Sequence, residues 1–341
     1  MMDVLRIGLI GAGRIGKIHG ENSARFIPGA RLEGIADIAM QEEQQTWAKG
    51  LGVRLISAHP QDILGDPAID AVLICSATDT HADLISAAAA AGKHIFCEKP
   101  IDLSVPRVKA ALAAVKKAGV TLQIGFNRRF DRTFKRIREL TLAGEIGDVQ
   151  LIKITSRDPA PPPQAYVAVS GGIFMDMMIH DFDMARFQAG SEITQVYAMG
   201  AVLIDPEIGE AGDLDTAIVS LTFANGALGV IDNSRKAVYG YDQRVEVFGS
   251  RGATRGENET ADQVTLATAS GLVSAKPLHF FLERYQGAYR AELASFVDAV
   301  LHHRSPEVSG EDGLENMYAA LAAGKSLKEK RPVSIDEVRV E

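Results

Sequence analysis

The sequence contains little cysteine: Cys75 and Cys97 are the only two among its 341 residues. Two cysteines are too few for a disulfide framework, so we expect a reduced, cytoplasmic protein that is stabilised by its apolar core. The N-terminal segment MMDVLRIGLIGAG lacks the basic region and the small-residue cleavage site of a signal peptide. The longest run of small apolar residues, Ile85–Gly92, is far too short to span a bilayer.

Positive charge is also scarce. The 36 lysines and arginines are outnumbered by 44 aspartates and glutamates, which gives a formal net charge of −8. We therefore expect neither a nucleic acid nor an anionic membrane surface as a partner. The sequence shows no internal repeat, and its 46% hydrophobic and 23% charged residues are ordinary for a soluble protein. The length suggests about two domains, so a soluble two-domain enzyme or sensor remains.

The first third of the sequence alternates short β-branched runs with helical segments. This alternation predicts βαβ units, and therefore an α/β domain with a doubly wound parallel sheet over residues 1–125. The predicted strands are Leu5–Ile10, Arg31–Ala36, Ala71–Cys75, His94–Cys97 and Thr121–Gly125. The predicted helices are Arg14–Phe26, Gln41–Leu51, His81–Ala91 and Val105–Ala118.

After about residue 148 the pattern changes to strands that are joined by short turns. Asn225-Gly226 between two of them is a strong signal for a hairpin, and consecutive strands of this kind predict an antiparallel sheet. We therefore expect an α+β domain over residues 126–341. The predicted strands are Val149–Thr155, Thr194–Leu203, Ala217–Phe223, Ala227–Ser234, Arg244–Gly249 and Val264–Ala267, and the predicted helices are Glu283–His302 and Gly313–Leu327.

A glycine-rich motif follows the first predicted strand. Gly11, Gly13 and Gly16 form the pattern G-x-G-x-x-G where the strand ends and a helix begins, with Arg14 and Ile15 between the last two glycines. The first glycine permits a tight turn, the second lets a pyrophosphate approach the backbone, and the third lets the helix pack on the strand. Because a helix N-terminus also attracts phosphate, the motif predicts a dinucleotide-binding site.

Asp37 lies at the end of the second predicted strand, 21 residues after Gly16. A carboxylate at this point accepts hydrogen bonds from the adenosine ribose and repels a 2′-phosphate, so it favours NAD over NADP. The alternative is a glycine-rich turn in an unrelated α/β protein, with Asp37 as an ordinary surface carboxylate.

Two further loops follow buried strands of the same predicted sheet. Ligands of such sheets bind beyond the carboxyl ends of the strands, so we expect these loops to lie near the nicotinamide. Pro100 restricts the residue before it and permits a cis peptide bond. For His81 the alternative is local packing at a helix start. The predicted cofactor residues of these loops are Ser76, Thr78 and His81 after one strand, and Glu98 and Lys99 after the next.

Asp176 and His180 are four residues apart, which places them on one face of a predicted helix. A carboxylate beside an imidazole fixes the tautomer of the ring and favours proton uptake, which suits a general base. Zinc ligation and a purely structural acid–histidine pair are the alternatives. Because no cysteine or second histidine motif accompanies the pair, we predict no metal site.

Four segments, in this order, resemble the glucose–fructose oxidoreductase/inositol dehydrogenase (GFO/IDH/MocA) family. They are the glycine motif, Cys97-Glu98-Lys99-Pro100-Ile101, Gly125-Phe126-Asn127-Arg128-Arg129-Phe130-Asp131, and Gly172-x3-Asp176-x3-His180-Asp181. Together with Tyr239-Gly240-Tyr241-Asp242-Gln243, they make the sequence most similar to the bacterial inositol 2-dehydrogenases of that family.

The resemblance implies an N-terminal Rossmann domain, a C-terminal domain with an open, mainly antiparallel sheet, and a homotetramer assembled through that sheet. It implies NAD-dependent oxidation of a cyclitol ring hydroxyl to a ketone, as in the conversion of myo-inositol to 2-keto-myo-inositol. Lys99, Asp176 and His180 match the catalytic residues of the family. His180 is expected to accept the hydroxyl proton, with Lys99 as the alternative proton carrier.

A polyol needs many hydrogen bonds, because each hydroxyl loses water on entry. Arg129 falls where related enzymes contact their substrate. Some inositol dehydrogenases carry His-Arg-Asn-Pro where this chain has Ser156-Arg157-Asp158-Pro159, so scyllo-inositol or a free aldose is the alternative substrate. A non-catalytic NAD-binding sensor is the alternative of another class. The candidate substrate-binding residues are Lys99, Asn127, Arg129, Asp158, Asp176, His180 and Tyr239, with Asp183 and Tyr241 as further hydrogen-bonding groups.

Overall fold

A computed structural model describes residues 4–339 of the chain. The polypeptide divides into two compact units, one formed by residues 4–127 with 288–315 and the other by residues 128–287 with 316–339. The boundary expected from the sequence, between residues 125 and 126, lies two residues from the first crossing. The return of residues 288–315 to the first unit was not expected from the sequence.

The first unit is built on a parallel sheet. Within the described residues the sheet has six strands in the order β3-β2-β1-β4-β5-β6, which is the doubly wound order of dinucleotide-binding domains. The predicted parallel sheet is confirmed, although the sequence missed β3 and α3. The strands are β1 (Leu5–Ile10), β2 (Ala30–Ala36), β3 (Leu55–Ser57), β4 (Ala71–Ile74), β5 (His94–Glu98) and β6 (Leu122–Gly125). The helices are α1 (Arg14–Arg25), α2 (Glu42–Gly50), α3 (Pro60–Leu64), α4 (Thr78–Ala90) and α5 (Val105–Ala118).

The remaining elements follow a 3-10 turn at Asn127–Phe130. The strands are β7 (Val149–Arg157), β8 (Ile193–Ala201), β9 (Thr216–Phe223), β10 (Leu228–Ser234), β11 (Asp242–Gly249), β12 (Gly252–Gly256), β13 (Thr265–Thr268), β14 (Gly271–Ser274) and β15 (Val333–Ser334). The helices are α6 (Arg132–Leu142), α7 (Gln164–Val167), α8 (Gly172–Asp176), α9 (Ile179–Ala189), α10 (Pro206–Glu210), α11 (Phe281–Arg284), α12 (Gln286–Leu301), α13 (Gly310–Glu329) and α14 (Ile335–Arg339).

The second unit contains a mixed sheet in the order β12-β11-β7-β10-β9-β8-β15. Among the described strands of this sheet only β7 and β10 run parallel, so the expectation of a mainly antiparallel sheet is confirmed. The predicted turn between β9 and β10 is present. Gly226 has φ +87°, whereas Asn225 accepts a hydrogen bond of 3.1 Å from the backbone N–H of Ala227.

The core of the first unit lies on one face of its sheet. Alternate residues of β1, such as Leu5, Ile7 and Leu9, are fully buried there. Their packing partners include side chains from the distant helix α12, among them Leu293 and Phe296. Full burial of one such side chain is worth roughly 1.5–3 kcal/mol. Residues near position 295 are therefore as much a part of this core as the strands themselves.

One face of the second sheet is open, because its alternate residues are exposed. Cross-strand pairing brings Met199 opposite Ile218 and Leu151 opposite both Leu228 and Phe248 on this face. Met199, Ile218, Leu228 and Phe248 are 44–54% exposed. We call these residues, with Leu151, the open sheet face.

Among the described residues, we find no helix that is both long enough and apolar enough to cross a membrane.

Candidate active site

The glycine motif forms a turn in which the three glycines have different surroundings. Gly11 has φ +97°, and a Cβ on Gly16 would lie 1.9 Å from the carbonyl oxygen of Gly11. A Cβ on Gly13, in contrast, would meet no described atom within 4 Å. Gly11 and Gly16 are therefore needed for the turn to form, whereas Gly13 leaves open space above the backbone.

Helix α1 begins beside this open space. Its N-cap is Gly13, and within the described residues no side chain caps its first turn and no acidic residue lies in it. Gly13 and Arg14 are exposed and Ile15 is half-buried. Uncapped N–H groups and the positive end of the helix dipole bind phosphate, so this end of the sheet fits the pyrophosphate of a dinucleotide.

Asp37 follows β2, and its side chain accepts hydrogen bonds from backbone N–H groups beside the same turn. One carboxylate oxygen accepts a hydrogen bond of 2.6 Å from the backbone N–H of Ala12, and the other accepts one of 2.8 Å from Ala39. These contacts hold the half-buried carboxylate next to the glycine turn. The geometry matches the position expected for a group that binds the adenosine ribose.

The loop after β4 is tied to the loop after β5 by His81. This buried imidazole lies 2.8 Å from the carbonyl oxygen of Pro100 and 3.0 Å from that of Ser76. Thr78 is the first residue of α4, whose first turn has no side-chain cap within the described residues. The local packing that we gave as the alternative for His81 is thus present, and its contact with a cofactor stays a prediction.

Glu98 is the last residue of β5, and Lys99 follows it. The Glu98 carboxyl lies 2.8 Å from the Nε2 atom of His19. A Cβ on Gly125, the neighbour of Glu98 in β6, would lie 3.0 Å from this carboxyl, so glycine makes room for it. Lys99 is half-buried, and its peptide bond to Pro100 is cis.

In the second unit, Asp176 and His180 do not lie on one continuous helix, so the sequence prediction is wrong on this point. Asp176 is the last residue of α8, and α9 begins at Ile179. The interruption arises because the N–H of Met178 bonds to the carbonyl of Ile173 rather than to that of Phe174. Asp176 and His180 are both half-buried.

The carboxylate of Asp176 has two partners that the sequence did not reveal. Tyr166 donates a hydrogen bond of 2.8 Å to one oxygen, and the buried guanidinium of Arg235 lies 3.5 Å from the other. Arg235 is itself held by Asp213 at 2.9 Å. Neither Tyr166 nor Arg235 stands in a recognisable motif, so no local sequence signal could have found them.

Asp158 lies just beyond the end of β7, among four other charged groups of the second unit. Burial, helped by the negative charges of Asp176 and Asp181 and opposed by the cations Arg128 and Arg235, raises its pKa to about 7. The side chain therefore changes between a neutral acid and a carboxylate close to neutral pH. Either form can hydrogen-bond a hydroxyl, as a donor or as an acceptor.

The two adjacent arginines, Arg128 and Arg129, are both buried and paired with carboxylates. Arg129, predicted to contact substrate, donates hydrogen bonds of 2.9 and 2.7 Å to the buried Asp183. Asp183 also accepts a hydrogen bond of 2.8 Å from Asn316, and the substrate contact expected of Arg129 stays a prediction. Arg128 pairs with Asp181 at 2.5 Å and lies close enough to Asp158 to oppose its pKa shift.

The remaining predicted polyol-binding residues lie in different places. Asn127 is 3% exposed, and its Nδ2 group has no hydrogen-bond partner among the described residues. Tyr239 is exposed, donates to Asp242 at 2.6 Å and accepts from Arg157 at 3.2 Å. Tyr241 is buried against the ring of Tyr285. Of these, Asn127 has a polar group to offer a ligand.

Comparison with known proteins agrees with this geometry. Residues 5–126 match the model of an oxidoreductase family with an NAD-binding Rossmann fold, and residues 134–255 match the GFO/IDH/MocA C-terminal domain. An uncharacterized oxidoreductase of Bacillus subtilis is 52% identical, covering 96% of each chain. A myo-inositol 2-dehydrogenase of Thermotoga maritima is 51% identical, covering 98% of this chain and 99% of the relative.

Solved structures give the same result. A myo-inositol dehydrogenase from Corynebacterium glutamicum superposes with a TM-score of 0.92 at 41% identity, over 97% of this chain and 98% of its own. A scyllo-inositol dehydrogenase from Lactobacillus casei, with bound NAD(H) and scyllo-inositol, superposes with a TM-score of 0.90 at 32% identity, over 98% and 99% of the two chains.

The parallel sheet, the glycine turn and the uncapped helix thus define an NAD-binding oxidoreductase. More specifically, the chain belongs to the GFO/IDH/MocA oxidoreductase family.

Proposed function

We propose that the chain oxidises one ring hydroxyl of a cyclitol to a ketone with NAD⁺, as an inositol 2-dehydrogenase. The observation that carries this proposal is similarity over nearly the full length to the Thermotoga myo-inositol 2-dehydrogenase, at 51% identity. It is supported by a cofactor cradle in the first unit and by a group of half-buried acids with a histidine in the second.

The chain's own residues hold the cofactor in distinct ways. The backbone of Gly11, Gly13, Arg14, Ile15 and Gly16 would face the pyrophosphate, and Asp37 would accept hydrogen bonds from the adenosine ribose. Because a 2′-phosphate would meet the Asp37 carboxylate, NAD is favoured over NADP. We assign the nicotinamide half to the loops that carry Ser76, Thr78, His81, Glu98 and Lys99. When bound, NAD⁺ supplies the acceptor for the hydride that leaves the carbinol carbon.

The protein supplies the proton chemistry. We assign His180 as the base that takes the hydroxyl proton while the hydride leaves, so that the carbinol becomes a ketone. Asp176, held by Tyr166 and Arg235, would stabilise the imidazolium that forms. The ammonium of Lys99 would donate to the same oxygen as negative charge develops on it. If Lys99 instead carried the proton, His180 would act as the donor.

Recognition of the ring hydroxyls is assigned mainly to polar groups of the second unit. Asp158 offers a donor or an acceptor according to pH, and Asn127 offers its amide. Each hydroxyl that enters must replace the hydrogen bonds it made to water. The aspartate at position 158 stands where some inositol dehydrogenases have asparagine, so it is the residue that we expect to separate myo-inositol from scyllo-inositol.

The open sheet face supports assembly into a homo-oligomer, and a tetramer is the form that the family resemblance suggests. Four large apolar side chains that are each 44–54% exposed on one sheet are more than a solvated surface needs. A second copy of the chain, packed on this face, would bury them.

One experiment tests the proposed activity. The purified chain is incubated with NAD⁺ or NADP⁺ and a panel of myo-inositol, scyllo-inositol and free aldoses, and reduced cofactor is read by absorbance. We expect turnover of myo-inositol with NAD⁺ and little turnover with NADP⁺. Turnover of an aldose but of neither inositol would show that the substrate is a free sugar rather than a cyclitol. NAD binding without turnover of any compound would indicate a sensor.

A further inference from the structure

Three titratable side chains come together in the interior of the first unit. His19 on α1 and Glu292 on α12 are fully buried, and Glu98 at the end of β5 is 9% exposed. The Nε2 atom of His19 lies 2.8 Å from the Glu98 carboxyl and 3.9 Å from that of Glu292. The proposed reaction uses neither His19 nor Glu292 directly.

Packing fixes the orientation of the imidazole. The ring of Phe96 lies 4.9 Å from the His19 ring and that of Tyr289 lies 5.7 Å from it, both in edge-on arrangements. The Nδ1 atom of His19 has no hydrogen-bond partner among the residues that the structure describes. The short contact with Glu98 is therefore the polar interaction that the ring is placed to make.

Glu292 leaves this contact undisturbed. Neither of its carboxyl oxygens has a hydrogen-bond partner within the described part of the chain. Burial raises the pKa of Glu292 well above its usual range, and the charge of Glu98 raises it further, so the neutral form of this side chain is favoured. The thiols of Cys75 and Cys97 and the phenol of Tyr289 also face the cluster, and burial raises the pKa values of both thiols. Glu98 is thus the acid of the cluster that the imidazole contacts.

The position of Glu98 on the sheet indicates what its carboxylate does. Strand β5 is two strands from β1, on the opposite side from β2 and Asp37. Neighbouring strands are about 4.8 Å apart, so Glu98 lies on the order of 10 Å from the glycine turn. This is the direction in which a dinucleotide continues from its pyrophosphate towards the nicotinamide.

We propose that His19 is a positioning residue of the cofactor site, which holds the Glu98 carboxylate so that it accepts hydrogen bonds from the nicotinamide ribose. The inference rests on the cofactor orientation given under the proposed function. Asp37 and Glu98 then perform the same task on the two riboses of one dinucleotide. Asp37 is fixed by backbone N–H groups and Glu98 by a buried imidazole.

The test compares two ligands on the full-length chain. NADH contains the nicotinamide ribose, whereas ADP contains only the adenosine ribose and the two phosphates. Their dissociation constants are measured by nicotinamide fluorescence and by calorimetry. His19→Leu removes the donor to Glu98, His19→Gln keeps a donor near the Nε2 position, and Glu292→Gln is the neutral isostere of a protonated glutamate.

We expect His19→Leu to weaken NADH binding by at least about 10-fold, the effect of losing a charge-assisted hydrogen bond, and to change ADP binding less than 2-fold. His19→Gln and Glu292→Gln should stay within about 3-fold of the parent protein for both ligands. Should His19→Leu not fold, His19→Asn, whose shorter side chain cannot reach Glu98, is expected to show the same difference between the ligands.

Equal weakening of NADH and ADP would overturn the proposal, since it would show a purely structural role. Unchanged NADH binding would overturn it as well. A divalent metal bound at one per chain in the purified protein would contradict the neutral state of Glu292, because the cation would compensate an ionised carboxylate. No cyclitol enters these measurements, so failure of the proposed activity is seen separately.

Discussion

Arg129 and Asp183 form a buried, two-pronged ion pair with hydrogen bonds of 2.9 and 2.7 Å. Removal of one partner would leave the other charge buried without compensation. We expect Arg129→Ala to lower the free energy of unfolding by about 3–5 kcal/mol, measured by urea denaturation. The matched control is Arg136→Ala, which breaks an exposed pair with Glu139 and should cost less than about 1 kcal/mol. Equal effects of the two substitutions would contradict the structural role of Arg129.

Asp158 predicts a pH dependence of stability. The folded protein holds its proton up to about pH 7, whereas the unfolded chain releases it near its ordinary pKa of 3.8. The folded state therefore binds more protons over this range, so its stability falls as the pH rises from about 4 to about 7 and then levels off. Asp158→Asn removes this contribution, worth up to about 4 kcal/mol. Melting curves of both proteins between pH 5 and pH 8 check the prediction.

The titration of Asp158 should also make the KM for the polyol depend on pH. If the neutral acid binds the polyol as an asparagine would, its fraction falls roughly tenfold between pH 6 and pH 8, and KM for the polyol rises accordingly. In Asp158→Asn the KM should change little over the same range. A rise in KM that persists in the variant would assign the titration to another group.

Substitution of Lys99 or His180 should slow the chemical step without weakening cofactor binding. We expect Lys99→Met and His180→Ala each to lower kcat by about 10²–10⁴ while the NADH dissociation constant changes little. Lys117→Met and His302→Ala, which alter exposed residues of the same types, serve as controls. Near-normal turnover of either active-site variant would remove that residue from the mechanism.

A methyl group added at Gly13 should affect cofactor binding, whereas one added at Gly16 should affect the stability of the fold. Gly13→Ala places its Cβ in open space, so we expect normal thermal stability and NADH affinity reduced at least 10-fold by contact with the pyrophosphate. Gly16→Ala drives its Cβ into the carbonyl of Gly11, so we expect the fold itself to be destabilised. Differential scanning fluorimetry and NADH titration separate the two outcomes.

Lysines introduced on the open sheet face should prevent assembly of the chain into an oligomer. Ile218→Lys and Leu228→Lys put ammonium groups where a second copy would pack, so we expect smaller particles by light scattering with an unchanged circular dichroism spectrum. Leu142→Lys alters another exposed leucine, at the end of α6 and outside this face, and should leave the mass unchanged. A parent protein that is already monomeric would contradict the proposed oligomer.

The first unit could be predicted well from the sequence because its signals are local. Gly11, Gly13, Gly16 and Asp37 belong to a strand–turn–helix unit whose parts are close along the chain. The ion pairs of Arg128 and Arg129 could not be predicted, because their partners Asp181 and Asp183 are more than 50 residues away. The break between Asp176 and His180 was missed because apolar residues such as Met177 and Met178 suit a continuous helix.

Other parts of the structure gave no sequence signal at all. The cluster of His19, Glu98 and Glu292 joins three elements from both ends of the chain, and a lone glutamate on an amphipathic helix is ordinarily solvated. Short elements such as β3, with three residues, lack the length that a periodic pattern needs.

The contribution of α12 to the core of the first unit bears on the order in which the chain can fold during synthesis. Leu293 and Phe296 are added to the growing polypeptide long after β1 to β6 have left the ribosome. Until then the sheet lacks part of its apolar cover, and Glu98 has His19 beside it but not Glu292. A fragment that ends near residue 126 should therefore expose apolar surface, aggregate readily and bind a dinucleotide incompletely. A cofactor domain transferred from this chain to another enzyme would have to include α12.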